Sequence, residues 1–127
     1  MNHRILIVDD ERRTLLLMER TLRDLQDDHE DVEILTASDG AEALEIIMAE
    51  RPALVYLDLM MPHVDGLDVC KAVKSELGAP ETYIVMLTAM GQEADRQSAK
   101  EVGADLYLTK PFDPDKVLDI AKDVLGL

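Results

Sequence analysis

Ile5-Leu6-Ile7-Val8-Asp9-Asp10-Glu11 sets four apolar residues directly against three carboxylates. A short unbroken apolar run suits a strand covered by helices on both faces, and the abrupt change to acid marks its end. The form returns along the chain. Leu54–Leu57 ends on Asp58, Tyr83–Leu87 ends on Thr88, and Asp105–Leu108 is followed by Lys110-Pro111. Arg4–Val8 and Val32–Thr36 complete a set of five expected strands. They alternate with segments of helical period, which predicts five βα units on a parallel sheet within a three-layer α/β sandwich. In such a sheet the carboxyl ends of the strands open into the ligand crevice, so Asp9, Asp10, Asp58, Thr88 and Lys110 are expected to converge.

The helices are read from their apolar stripes. Leu15, Met18, Leu22 and Leu25 form the first, and Leu44, Ile47 and Met48 the second. Cys70, Val73 and Leu77 form the third, and Val117, Ile120, Ala121, Val124 and Leu125 the last, which Asp113 caps and Pro114 opens. Asp39 with Glu42 predicts a capping box at the second helix, with Gly40 structural. The fourth helix, from about Gln92 to Val102, is mostly alanine and charge. It is expected to be the least firmly packed and the most prone to move.

At 127 residues the chain fits one domain, residues 1–127, and its 47% apolar content supports a packed globule. No apolar stretch approaches the roughly 20 residues of a membrane span, and the N-terminus has no signal-peptide pattern. Cys70 is the single cysteine, which excludes an intramolecular disulfide and fits a reducing compartment, so the expected localisation is cytoplasmic. A net charge of −14 would repel a phosphate backbone, so direct nucleic-acid binding is not expected of this chain. His3, His29 and His63 have no metal-ligand spacing, and the acidic stretch Asp24–Glu33 reads as a solvated helix end and loop.

Two carboxylates about 4 Å apart repel by roughly 4 kcal/mol at an effective dielectric of 20, so Asp9, Asp10 and Asp58 together call for a cation or a raised pKa. Mg²⁺ suits a site of hard oxygens that must also admit a phosphoryl group, and one aspartate can then act as nucleophile. Thr88 offers a hydroxyl and Lys110 a positive charge to the phosphoryl oxygens.

These residues sit in Ile5–Glu11, in Leu57-Asp58-Leu59-Met60-Met61-Pro62 with Asp65-Gly66, in Met86-Leu87-Thr88-Ala89, and in Gly103-Ala104-Asp105 leading through Tyr107 to Leu108-Thr109-Lys110-Pro111-Phe112. From Ile5 to Leu125 the sequence resembles the receiver domain of two-component response regulators, the family of the chemotaxis regulator. The resemblance implies a flavodoxin-like fold of sheet order 2-1-3-4-5. It makes Asp58 the phosphoacceptor for a sensor histidine kinase or phosphotransfer protein, and Asp10 a direct Mg²⁺ ligand with Asp58 and the Met60 backbone carbonyl. Asp9 would act through a metal-bound water. Thr88 and Lys110 match the pair that contacts the phosphoryl group, Tyr107 matches the switch aromatic, and Lys110-Pro111 is expected to be cis. Activity is then limited to the domain's own phosphorylation and dephosphorylation. The readout is the face of the fourth helix, fifth strand and fifth helix, which admits a phosphorylation-dependent homodimer. Met60 and Met90 stand at positions that vary in the family and flank the phosphoryl group. Their thioethers orient water poorly, which predicts slow self-dephosphorylation.

Two other classes compete. A haloacid-dehalogenase-like phosphatase uses Asp, Thr and Lys, but places its nucleophile in an Asp-x-Asp pattern that Asp9-Asp10-Glu11 does not match. A flavodoxin-like electron carrier would need a hydroxyl- and glycine-rich loop where these aspartates stand. Within the receiver reading, the chain is either free-standing or the detached receiver of a longer DNA-binding or catalytic regulator.

Overall fold

The computed structural model describes residues 3–76, 81–89 and 93–127. Among them, the strands are β1 (Arg4–Val8), β2 (Glu33–Ala37), β3 (Leu54–Asp58), β4 (Tyr83–Ala89) and β5 (Leu106–Lys110). They pair in parallel in the order β2-β1-β3-β4-β5, as expected. The helices are α1 (Arg12–Asp28), α2 (Gly40–Glu50), α3 (Gly66–Lys71), α4 (Glu93–Glu101) and α5 (Pro114–Leu125).

Side chains alternate across each strand, so two cores form. Leu6, Val8, Val55, Leu57, Ile84 and Met86 face α2, α3 and α4, meeting Ile47, Val69, Val73 and Ala99. Ile5, Ile7, Leu54, Tyr56, Val85 and Leu87 face α1 and α5, meeting Met18, Leu22, Val117 and Ala121. Burial on both sides explains why the central strands read as continuous apolar runs.

Three local expectations are corrected. Met48 is 57% exposed, and Ala43 takes its place beside Ile47 in the core. Asp39 accepts the Glu42 N–H at 2.8 Å, but the Glu42 carboxylate bonds the N–H of Ser38, so the box is only half made. A complete box stands instead at α3, where Asp65 and Asp68 exchange side-chain and backbone bonds. After Lys71 the chain widens into a π-helical segment, Ala72–Glu76, which the apolar spacing does not announce. Leu77, Met90 and Gln92 lie outside the described residues.

The last two strands run further than their apolar cores. Thr88 and Ala89 still pair with Thr109 and Lys110, and Asp58 pairs with Leu87. Asp58, Thr88 and Lys110 are therefore strand residues with rigid backbones. The Lys110-Pro111 bond is cis.

Candidate functional site

The register positions the site. Val8 lies beside Leu57, so Asp9, the residue after β1, comes beside Asp58, the last of β3. Asp9 follows the strand closely enough for its N–H to reach Ala37 on β2. Its side chain is fully buried, accepting the Glu11 N–H at 2.9 Å and the Lys110 ammonium at 2.8 Å. Asp10 is exposed. Asp58 is buried, and its carboxylate accepts a long bond of 3.4 Å from the Met60 N–H and lies 3.5 Å from Lys110 Nζ. Thr88 is buried at the end of β4, one residue beyond the neighbour of Asp58.

The loop after Asp58 is held by close approaches that no side chain could share. A Cβ on Gly66 would overlap the Asp58 carbonyl oxygen and come within 2.8 Å of Leu59 Cα. A Cβ on Gly40 would overlap the Val64 carbonyl oxygen. The Gly66 N–H bonds Leu59 O at 3.0 Å, and Leu59 N bonds Leu87 O at 2.9 Å. Met60 stands on this loop, 66% exposed, and His63 is exposed with a left-handed backbone, φ 66°.

Carboxylate oxygens of Asp9, Asp10 and Asp58 lie within 4.8 Å of one another. Burial, reinforced by the charge of Asp9 and more weakly of Asp10, pushes the Asp58 carboxyl up to about 7 against the opposing pull of Lys110 and the Met60 N–H. For Lys110, burial works against the charge, but its bond to Asp9 and the charges of Asp58 and Asp9 outweigh it and raise its pKa. One ammonium therefore leaves three carboxylates under-neutralised. An all-oxygen donor set with residual negative charge fits a hard divalent cation.

The site brings together Asp9, Asp10, Asp58, Thr88 and Lys110, all of which the sequence selected. Tyr107 stands three residues before Lys110 on β5, half-buried against the α4 side of the core. Sequence reasoning missed the Lys110–Asp9 pair, since a lysine's reach is invisible in its neighbours. It also missed Tyr56, whose hydroxyl donates at 2.6 Å to the Val117 carbonyl and ties β3 to α5. A tyrosine in an aliphatic strand was the available signal, because a buried phenol requires a partner.

Residues 5–122 match the response regulator receiver domain. The chain is 41% identical over 98% of its length to the alkaline phosphatase synthesis transcriptional regulatory protein PhoP of Bacillus subtilis, covering 49% of that protein. It thus spans about half the length of the curated relatives it matches. Among solved structures, a response regulator of Chloroflexus aurantiacus superposes with a TM-score of 0.87 at 32% identity over the whole of both chains. Chemotaxis protein CheY4 of Vibrio cholerae does so with a TM-score of 0.84 at 32% identity, over 98% of this chain and 99% of that one. The described residues contain no helix long and apolar enough to cross a membrane. An acid-lined crevice at the switch point of a 2-1-3-4-5 sheet and a family match from Ile5 to Lys122 lead to one conclusion: the chain belongs to the receiver domains of two-component response regulators.

Proposed function

We propose that residues 1–127 form one receiver domain in which Asp58 accepts a phosphoryl group from a phosphohistidine on a sensor histidine kinase or phosphotransfer protein. The observation that carries this reading is the convergence of a buried carboxylate, Asp58, with a lysine ammonium 3.5 Å away and a buried hydroxyl, Thr88, on the adjoining strand end. An Asp58 carboxylate oxygen attacks phosphorus, the P–N bond breaks, and the imidazole leaves with the electron pair. Asp58 must be ionised to attack, so its raised pKa has to be brought down. Mg²⁺ held by Asp10, Asp58 and the Met60 carbonyl, with Asp9 assisting through a bound water, would supply that charge compensation, for the carboxylates and the phosphoryl oxygens alike. Lys110 releases Asp9 to reach a phosphoryl oxygen, and the Thr88 hydroxyl donates to another. Tyr107 follows Thr88, changing the face of α4, β5 and α5.

The domain carries out only its own phosphorylation and dephosphorylation, in the cytoplasm. The output partner is a protein or an attached domain, and the transcriptional regulators it resembles favour attachment to a DNA-binding domain. The test is incubation with acetyl phosphate and Mg²⁺, followed by intact mass. One phosphoryl mass is expected, absent in Asp58→Asn and absent without the metal. Turnover of the donor that depends on Asp9 and spares the Asp58→Asn variant would overturn the proposal.

A further inference from the structure

The Arg96 guanidinium carbon lies 5.1 Å from the centroid of the Tyr107 ring, so a cation stacks on an aromatic face across the gap between α4 and β5. Arg96 stands in the first half of α4. The C-terminal end of that helix is secured, with Val102 N bonding Ser98 O, Ala104 N bonding Ala99 O, and Cys70 Sγ donating to Val102 O. One turn earlier, Ala94, Arg96 and Gln97 are exposed, and among the described α4 side chains the buried one is Ala99.

Two surface hollows flank the stack, of about 360 Å³ and 300 Å³. Arg96 and Tyr107 are the two residues that line both, forming the wall between them. A ring with space on either side can change place without repacking the core, which is the condition for a two-state element. The strand that carries the ring also carries Lys110, three residues on, and Lys110 is here bonded to Asp9.

We propose that Arg96 is a positioning residue of the switch. Stacked on Tyr107, it holds the ring and the first half of α4 in the arrangement where Lys110 pairs with Asp9, so that loosening the stack makes Asp58 easier to phosphorylate. This rests on the reading of Asp58 as phosphoacceptor. The stack biases the equilibrium only because it is made in one arrangement and broken in the other. A cation–π contact at a partly exposed site corresponds to a change of about two- to fivefold.

The test is a double-mutant cycle on the initial rate of Mg²⁺-dependent modification by acetyl phosphate, with a urea midpoint for every variant. Arg96→Met keeps the aliphatic stem and removes the cation. It is expected to raise the rate about two- to fivefold. The gain should persist in a Tyr107→Phe background, which keeps the ring face, and vanish in Tyr107→Leu. An unchanged or slower rate in Arg96→Met, or the same gain whether or not the ring is present, overturns the proposal. A merely structural arginine would move the urea midpoint without this dependence on the ring. Failure of the underlying reading looks different: Asp58→Asn would take up phosphoryl as readily as the wild type, or the wild type would take up none, and either result removes the positioning role as well.

Discussion

Asp58 holds its proton far more tightly in the folded protein than an ordinary aspartate, its pKa raised to about 7 by burial and by Asp9. Between the usual carboxylate range and that value the native state binds more protons than the unfolded state, so this residue's contribution to stability falls as pH rises. Above pH 7 the folded protein carries the full penalty of an ionised Asp58, and near pH 4 it carries none. Asp58→Asn should therefore raise the urea midpoint at pH 8, by the equivalent of about 1–2 kcal/mol after discounting for solvent screening, with the gain disappearing toward pH 4. A gain independent of pH would point to packing instead. Met60 offers a second prediction. The residue is 66% exposed on the loop beside Asp58, and its thioether neither donates a hydrogen bond nor accepts one strongly. Met60→Asn, which can orient an attacking water, should shorten the phosphorylated lifetime several-fold as followed by intact mass. A wild-type lifetime of only seconds would remove the premise.

Among elements, one lysine ties the segment after α3 to the starts of β4 and β5. Lys74, on the π-helical segment after α3, donates to the Thr82 carbonyl at 2.6 Å and to Asp105 at 2.7 Å, while Asp105 also accepts the Ile84 N–H at 2.9 Å. Lys74→Met should cost about 1–3 kcal/mol in urea unfolding, because it removes a charged donor from the Thr82 carbonyl and from Asp105, which keeps the Ile84 N–H. An unchanged midpoint would show that solvent replaces the ammonium without loss. This junction also marks the limit of what the sequence discloses. The five strands and the acid crevice were legible because two-sided burial writes an apolar run and a strand end writes a sudden polar residue, whereas the strand order was implied by the family resemblance. Asp105 was expected at the start of the fifth strand, but its bond to Lys74 was not legible, since that pairing joins residues far apart in the chain. Met48 fell on the expected stripe of α2 but outside the core, because a short helix on a twisted sheet buries a narrower arc than its spacing allows, and Ala43 fills that contact. The capping box appeared at Asp65 rather than Asp39 because a Glu at the third helical position can reach past the cap to Ser38, whereas the shorter Asp68 cannot. Within the site, Asp9, Asp10, Asp58, Thr88 and Lys110 were all named in advance, while the bond that joins Lys110 to Asp9 required coordinates.

Over the whole molecule, 27 acidic residues face 13 lysines and arginines, and the net charge of −14 falls on 127 residues. Such self-repulsion opposes compaction and is screened by salt. Raising sodium chloride from about 10 mM to 150 mM, which shortens the screening length from about 30 Å to 8 Å, should raise the thermal midpoint. Millimolar Mg²⁺ at constant ionic strength should raise it further in the wild type than in Asp58→Asn. Equal responses of the two proteins to Mg²⁺ would reduce the metal's effect to general screening. The pairing of Lys110 with Asp9 has a consequence at this scale too. The lysine occupies the aspartate as a tethered counter-ion, and the aspartate occupies the lysine as a tethered anion. A cation arriving at the carboxylates liberates the ammonium for an anion, and an anion captured by the ammonium bares the carboxylates for a cation. The two ligands sit on opposite ends of one seesaw, and reciprocity requires each to tighten the other's binding by the same factor.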